Sequence, residues 1–204
     1  MALEKPEYEV LYKDGNIEYR QYEPYLVAET EVSDSGDRNA AANEGFRRLF
    51  DYITGANTAQ TNIDMTAPVQ QSRLSEKIAM TAPVNQTRSG DDWRISFMLP
   101  SKYSFAEAPI PTDERVDIRQ VPSRLMATIR YSGRWTTKNV EKYEALLMEH
   151  LRSSGIVPLG VAETAAYNAP FTPPFMRRNE IMLEVSDFPG SINKVSPMVA
   201  GSSD

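Results

Sequence analysis

The segment IEYRQYEPYLVAETEV, Ile17 to Val32, aligns without a gap on VDIRQVPSRLMATIRY, Val116 to Tyr131, at an offset of 99 residues. Arg20/Arg119, Gln21/Gln120, Leu26/Leu125 and Ala28/Ala127 are identical, and Ile17/Val116, Glu18/Asp117 and Tyr19/Ile118 keep their type. Each copy reads as two apolar strands around a polar turn. The same offset carries a second feature. Ala40–Ile53 reads as a helix, with Ala42, Phe46, Leu49, Phe50 and Ile53 at helical spacing, and it lands on Asn139–Arg152, where Val140, Tyr143, Leu147 and Leu151 form a stripe. Gly55 and Gly155 follow the two helices, where a left-handed cap is wanted, and Asp37 or Asn39 and Thr136 or Thr137 stand where N-caps belong. Coincidence of strands and helix at one offset indicates a duplication, each half being strand, strand, helix, strand, strand. Neither half buries its sheet face alone, so the two must pack about a pseudo-two-fold axis as one domain.

Outward from the repeat, Tyr8–Tyr12 reads as a strand joined to Ile17–Tyr22 through Asp14-Gly15 as a hairpin. Further strands are expected at Trp93–Leu99, Ala162–Tyr167 and Glu180–Val185, with Phe105–Pro111 as a linker. Met65-Thr66-Ala67-Pro68-Val69 recurs letter for letter as Met80-Thr81-Ala82-Pro83-Val84. Ile63, Met65, Ala67 and Val69, and again Ile78, Met80, Ala82 and Val84, alternate with polar neighbours, so each copy reads as a strand with one buried face, its proline at an edge or bulge. Gln70–Lys77 would turn between them. The expected organisation is a lead over residues 1–7, a domain over 8–187 with repeats at about 8–100 and 115–187, and a loose tail over 188–204.

Composition removes several function classes. The chain has 204 residues, no cysteine and one histidine. Without Cys there is no disulfide, thiolate nucleophile, zinc finger or iron–sulfur site, and one His cannot make a two-histidine metal motif. A net charge of −6 argues against a nucleic-acid backbone binder, which needs a basic face. No stretch approaches the ~20 apolar residues of a membrane span. Met1–Pro6 is too polar for the apolar core of a signal peptide, so the chain as given reads as cytoplasmic, with the periplasm open if a leader precedes it.

The chain resembles the SOUL/haem-binding protein family. The points of match are Tyr8-Glu9-Val10, Ile17–Glu31, Lys77–Val84 and the long run Tyr167-Asn168-Ala169-Pro170-Phe171-Thr172-Pro173-Pro174-Phe175-Met176-Arg177-Arg178-Asn179-Glu180, spread from Tyr8 to Val185. The resemblance implies an α+β fold, a duplicated unit forming a distorted eight-stranded, mainly antiparallel barrel with two long outer helices. The same architecture occurs in effector-binding domains of bacterial drug-responsive regulators. It also implies binding of haem or another tetrapyrrole in a hydrophobic cleft, as carrier or buffer, without catalysis. That cleft lies between the apolar side of the first helix and the loop before the last strand, here Phe46–Ile53 and Ala169–Arg178.

A porphyrin is a flat apolar plate with two propionates, and it needs an apolar slot with cations at the rim. Phe46, Leu49, Phe50 and Ile53 could wall the slot, Phe171 and Phe175 could close it, and Arg47, Arg48, Arg177 and Arg178 could pair with carboxylates. The plainer reading makes Leu49 and Ile53 core residues, and gives Arg177 and Arg178 to carbonyls or glutamates of the barrel. The methionines of the repeated motif fill core gaps more readily than they ligate iron. His150 lies near the end of the second helix, where a histidine complements the helix dipole, so no axial ligand is assigned. The alternatives are effector-type binding of a different small hydrophobic ligand, or a small-molecule hydrolase on the same fold. No nucleophilic triad or phosphate loop supports the last.

Overall fold

The computed structural model describes residues 3–33, 38–59, 75–168 and 171–191. In chain order the elements are β1 (Tyr8–Asp14), β2 (Ile17–Tyr22), β3 (Tyr25–Val32), α1 (Arg38–Thr54), β4 (Asn57–Thr58), β5 (Val84–Ser89), β6 (Asp92–Met98), β7 (Ile110–Pro111), β8 (Val116–Val121), β9 (Arg124–Tyr131), α2 (Thr137–Ser153), β10 (Glu163–Ala166) and β11 (Asn179–Glu184). Nine strands form one curled antiparallel sheet in the order β1-β2-β9-β11-β10-β5-β6-β3-β8, and β4 pairs with β7 apart from it.

Leaving β1 aside, that order is a palindrome. Exchanging each strand for its counterpart in the other half (β2 for β8, β3 for β9, β6 for β11, β5 for β10) returns the same sequence of neighbours. The pseudo-two-fold axis therefore passes between β5 and β10. The registers repeat as well: Ile17 faces Ile129, and their equivalents Val116 and Thr30 face each other. The helices keep the offset, α1 at 38–54 and α2 at 137–153. The duplicated α+β unit expected from the sequence is thus the unit that builds the sheet. The sheet is a half-barrel, open between β1 and β8, and β1 is an extra strand hairpinned onto β2 through a turn with Gly15 at φ +57°.

Each helix covers one half of the sheet. Leu49, Tyr52 and Ile53 of α1 pack with Leu26, Ile95 and Phe97. Val140, Leu147 and Leu151 of α2 pack with Tyr19, Ile129 and Leu183. The Thr136 side chain accepts from the Asn139 N–H at 3.3 Å and caps α2; Asp37 lies outside the described residues. The buried face of α1 runs through Ala41, Gly45, Leu49, Tyr52 and Ile53: Leu49 and Ile53 of the expected stripe are buried, while Ala42 and Phe46 are half-buried and Phe50 is exposed. The cause is Gly45. A Cβ there would stand 2.7–2.8 Å from Ile95, so only glycine lets α1 lie directly on β6. At the equivalent position α2 carries Glu144.

Two local expectations differ from the structure. The strand expected over Ile78–Val84 is extended chain without a ladder, and β5 starts only at Val84. Met80 is exposed where alternation would bury it, while Thr81, Ala82 and Pro83 are all buried. Proline offers no N–H to a ladder, and the neighbouring groups bond elsewhere: Ala82 N–H to Glu4 O at 2.9 Å and Ile78 N–H to Ile53 O at 2.8 Å. The first copy of the motif lies outside the described residues. The 105–111 linker contains β7 and docks on α1, the Tyr52 hydroxyl donating to Pro109 O at 2.8 Å.

Candidate functional site

Residues 166–168 and 171–179, between β10 and β11, lie over the end of α1 nearest the axis; Ala169 and Pro170 of the expected loop lie outside the described residues. This stretch is stiffened by its own bonds. Tyr167 N–H donates to Arg178 O at 3.1 Å, Arg178 N–H to Asn168 Oδ1 at 2.6 Å, and Arg177 Nε to Thr172 O at 2.7 Å. A second set ties it to the turn before α2: Gly133 N–H donates to Pro174 O at 2.9 Å and Asn179 Nδ2 to Gly133 O at 3.1 Å. Pro173 and Pro174 fix backbone angles around a short 3-10 turn at Pro174–Met176.

Between this loop, α1 and the turn before α2 lies a cleft of about 450 Å³, open to solvent. Its apolar wall is Ala42, Phe46, Val84 and Trp135; Arg134, Arg177, Asn43 and Asn168 supply its polar positions. This volume lies in the roughly 300–1,000 Å³ range of small-molecule sites. Phe46 is braced from behind by an edge-to-face contact with Phe97 at 5.2 Å and stacks on Phe50 at 5.9 Å.

Of the sequence-derived residues, Phe46 and Arg177 meet in this cleft. Phe50 extends the Phe46 stack onto the surface, and Arg47 is exposed on the same helix. Leu49 and Ile53 are buried in the core beneath. Phe171 and Phe175 project from the loop tip at 89 % and 78 % exposure, outside the cleft lining. Arg48 bonds the Thr30 side chain and Glu31 O, away from the cleft. The sequence gives no sign of Trp135 or Arg134 and marks Val84 only as a buried strand position; a tryptophan just ahead of a helix cap does not show which way it faces.

Arg178 belongs to the scaffold instead. Glu180, fully buried at the start of β11, accepts from Arg20 Nη1 at 2.9 Å, Arg20 Nη2 at 3.1 Å, Arg178 Nε at 2.9 Å and the Tyr167 hydroxyl at 2.9 Å. Burial alone would raise the Glu180 carboxyl, but the bonds and charge of Arg20, then those of Arg178, outweigh it and hold it below the ordinary value. Burial likewise pushes the Tyr22 hydroxyl, which accepts from Arg20, up to about 12. This cluster pins both ends of the cleft loop to β2.

His150 lies elsewhere. Its Nδ1 is 3.9 Å from Asp14 Oδ2 and its ring is 6.1 Å from the Tyr19 ring. Among the described residues no cluster of three or more His, Cys, Asp or Glu side chains could hold a metal ion, and no helix is long and apolar enough to cross a membrane.

The geometry has relatives. Among solved structures, the EcmrR C-terminal domain superposes with a TM-score of 0.55 at 10 % identity, covering 87 % of this chain and 99 % of that one. A hydrolase from Listeria innocua gives 0.53 at 11 % identity, over 84 % and 92 %. At such identities the likeness is one of fold alone. In sequence, Heme-binding protein 2 of Homo sapiens is 28 % identical over 181 residues, covering 88 % of this chain and 83 % of that protein. The Mus musculus protein of the same name is 27 % identical over 200 residues, covering 95 % and 91 %. The family model described as SOUL heme-binding protein matches residues 3–184, nearly the whole fold, and the chain belongs to that family.

Proposed function

We propose that this chain binds haem or a related tetrapyrrole in the cleft between α1 and the 166–179 loop, as a non-catalytic carrier or buffer. The observation that carries the reading is the pairing of an apolar Phe46–Val84–Trp135 wall with Arg134 and Arg177 in one open slot, in a chain of this family. When bound, haem supplies a flat apolar face and two propionates. Phe46 and Trp135 meet the face, Phe50 prolongs the wall, and Leu49 and Ile53 support it from beneath. Arg177 and Arg134 meet carboxylates, with Arg47 at the outer rim. Phe171 and Phe175 close over the plate from the loop tip.

Among the described residues the cleft lining holds no His, Met, Cys or Tyr. Binding therefore rests on the face and the propionates, with modest affinity and weak preference for haem over metal-free porphyrin. Titration of micromolar protein with haemin and with protoporphyrin IX, read in the Soret band, tests this. Both should saturate with similar affinity, and Phe46→Asp should weaken both about tenfold or more, since a buried Phe contributes about 1.5–3 kcal/mol. A flat titration of the native protein overturns the reading.

A further inference from the structure

Arg38, the first residue of α1, is planted on the pseudo-two-fold axis. It is only 7 % exposed, yet no carboxylate among the described residues lies within ion-pair distance of its guanidinium. Its Nε donates to Gln86 Oε1 at 3.0 Å and its Nη2 to Thr164 Oγ1 at 2.5 Å. Gln86 and Thr164 face each other across the β5–β10 pair, and Gln86 Nε2 donates back to the Arg38 carbonyl at 2.9 Å. The head group is thus held rigidly from one side, while Nη1 makes no hydrogen bond to a described residue. A buried charge costs several kcal/mol unless it is paired. Burial here lowers the basicity of Arg38, with only weak opposition from Tyr131, Glu144 and Glu141.

Two neutral donors beside it are also unused. The Tyr131 hydroxyl, on a side chain 4 % exposed, and Trp135 Nε1 are both buried without a hydrogen-bond partner. Arg38 Cζ lies 5.2 Å from the Trp135 ring and 5.9 Å from the Trp93 ring. Buried polar groups are nearly always satisfied. Neither donor lines the cleft onto which Arg38 opens, so the open position there belongs to the guanidinium alone.

Arg38 opens onto a second cleft of about 520 Å³, under α2 and distinct from the first. Trp93, Val140, Val161 and Ala162 give it an apolar lining, and Glu141, Glu144 and Arg88 are its other charged residues. Glu144 lines this cleft at the position where α1 has Gly45, and α2 lies more loosely on β11 than α1 does on the equivalent β6.

We propose that this second cleft binds a small apolar monocarboxylate, its carboxylate anchored by Arg38 on the axis. The carboxylate accepts from Nη1 of Arg38, and the apolar body lies along Trp93, Val140 and Val161. Glu141 and Glu144 oppose a second negative charge and Arg88 offsets one of them, so a dicarboxylate is disfavoured. This site therefore selects against the bis-propionate ligand of the first cleft.

Trp93 lines this cleft and Trp135 the first, and both rings flank Arg38, so intrinsic fluorescence reports binding and its response to Arg38→Gln assigns the change to this cleft. Octanoate, its neutral isostere octanamide and the dianion octanedioate serve as probes. Octanoate should give a saturable change, with octanamide and octanedioate each weaker by about tenfold or more, as expected for loss of a charge-assisted pair or gain of a repulsion. Arg38→Gln should abolish the preference for octanoate over octanamide. Equal affinities in the native protein, or a preference that survives Arg38→Gln, overturn the proposal. Should Arg38→Gln fail to fold, Glu144→Gln gives the reading: it should tighten octanoate several-fold and admit octanedioate, and unchanged affinities for both overturn the proposal.

Discussion

Replacing Glu180 by glutamine keeps the size of the side chain and removes the one carboxylate that two guanidiniums share. Glu180 is fully buried and Arg20 is 2 % exposed, so water cannot take over the lost charge, and Arg20 keeps only its edge partner Glu18, at 2.7 Å. Arg178 bonds the same Oε1 that accepts from Arg20 Nη2, and the new amide would turn donors toward donors. Removing one partner of a buried pair costs about 3–5 kcal/mol. At this chain length each kcal/mol lowers the melting temperature by about 2–4 °C, which gives a drop of about 6–20 °C at neutral pH. The dependence on pH has a definite sign. The Glu180 carboxyl is held below its ordinary 4.5 in the folded protein, so its stabilisation is fully present above that value and fades as pH falls through the lower folded value. Thermal unfolding by circular dichroism, for native protein and Glu180→Gln across pH 3 to 8 (roughly the span over which the linkage acts), should show a wide gap at pH 7 that narrows in acid. A gap below about 3 °C at neutral pH, or one that is constant with pH, would refute the assigned role.

Three further outcomes follow from the geometry. Gly45→Leu should destabilise by at least about 1–3 kcal/mol in urea unfolding, despite leucine's better helix propensity, because the added side chain meets Ile95 where even a Cβ stands at 2.7 Å. The double variant Phe171→Ser/Phe175→Ser should leave stability within about 0.5 kcal/mol, since both rings are exposed, while weakening haemin binding in the Soret titration. His150→Ala should leave the haemin spectrum unchanged, because His150 packs against Tyr19 and Asp14 rather than in the cleft.

The architecture was legible because duplication writes the same pattern twice. The 99-residue offset aligned β2 and β3 with β8 and β9 and α1 with α2, and periodicity did the rest. On α1, Leu49 and Ile53 are buried as expected, but Ala41, Gly45 and Tyr52 take the core positions expected for Ala42, Phe46 and Phe50. Phe46 and Phe50 look like core by size, whereas Ala41 and Gly45 look like nothing in particular, and only the Ile95 contact reveals that small residues face the sheet. The Ile78–Val84 segment misled in the opposite way: its alternation was real, but its bonding groups are used by Glu4, Ile53 and Met98 rather than by a neighbouring strand. At the site, Phe46 and Arg177 could be named from sequence. Trp135 could not, because its place depends on how the turn before α2 docks against Pro174. Arg38 was invisible for a similar reason, since a charged residue opening a helix reads as solvated until Gln86 and Thr164 are seen to enclose it.

The interleaving of strands has a consequence for the integrity of the polypeptide. β2 belongs to the first half yet pairs with β9 of the second, and β8 of the second pairs with β3 of the first. A cut in the connection between the halves would therefore yield fragments that each leave a central strand edge bare and prone to aggregation. Produced together, the fragments have complementary edges and should reassemble by exchanging hairpins.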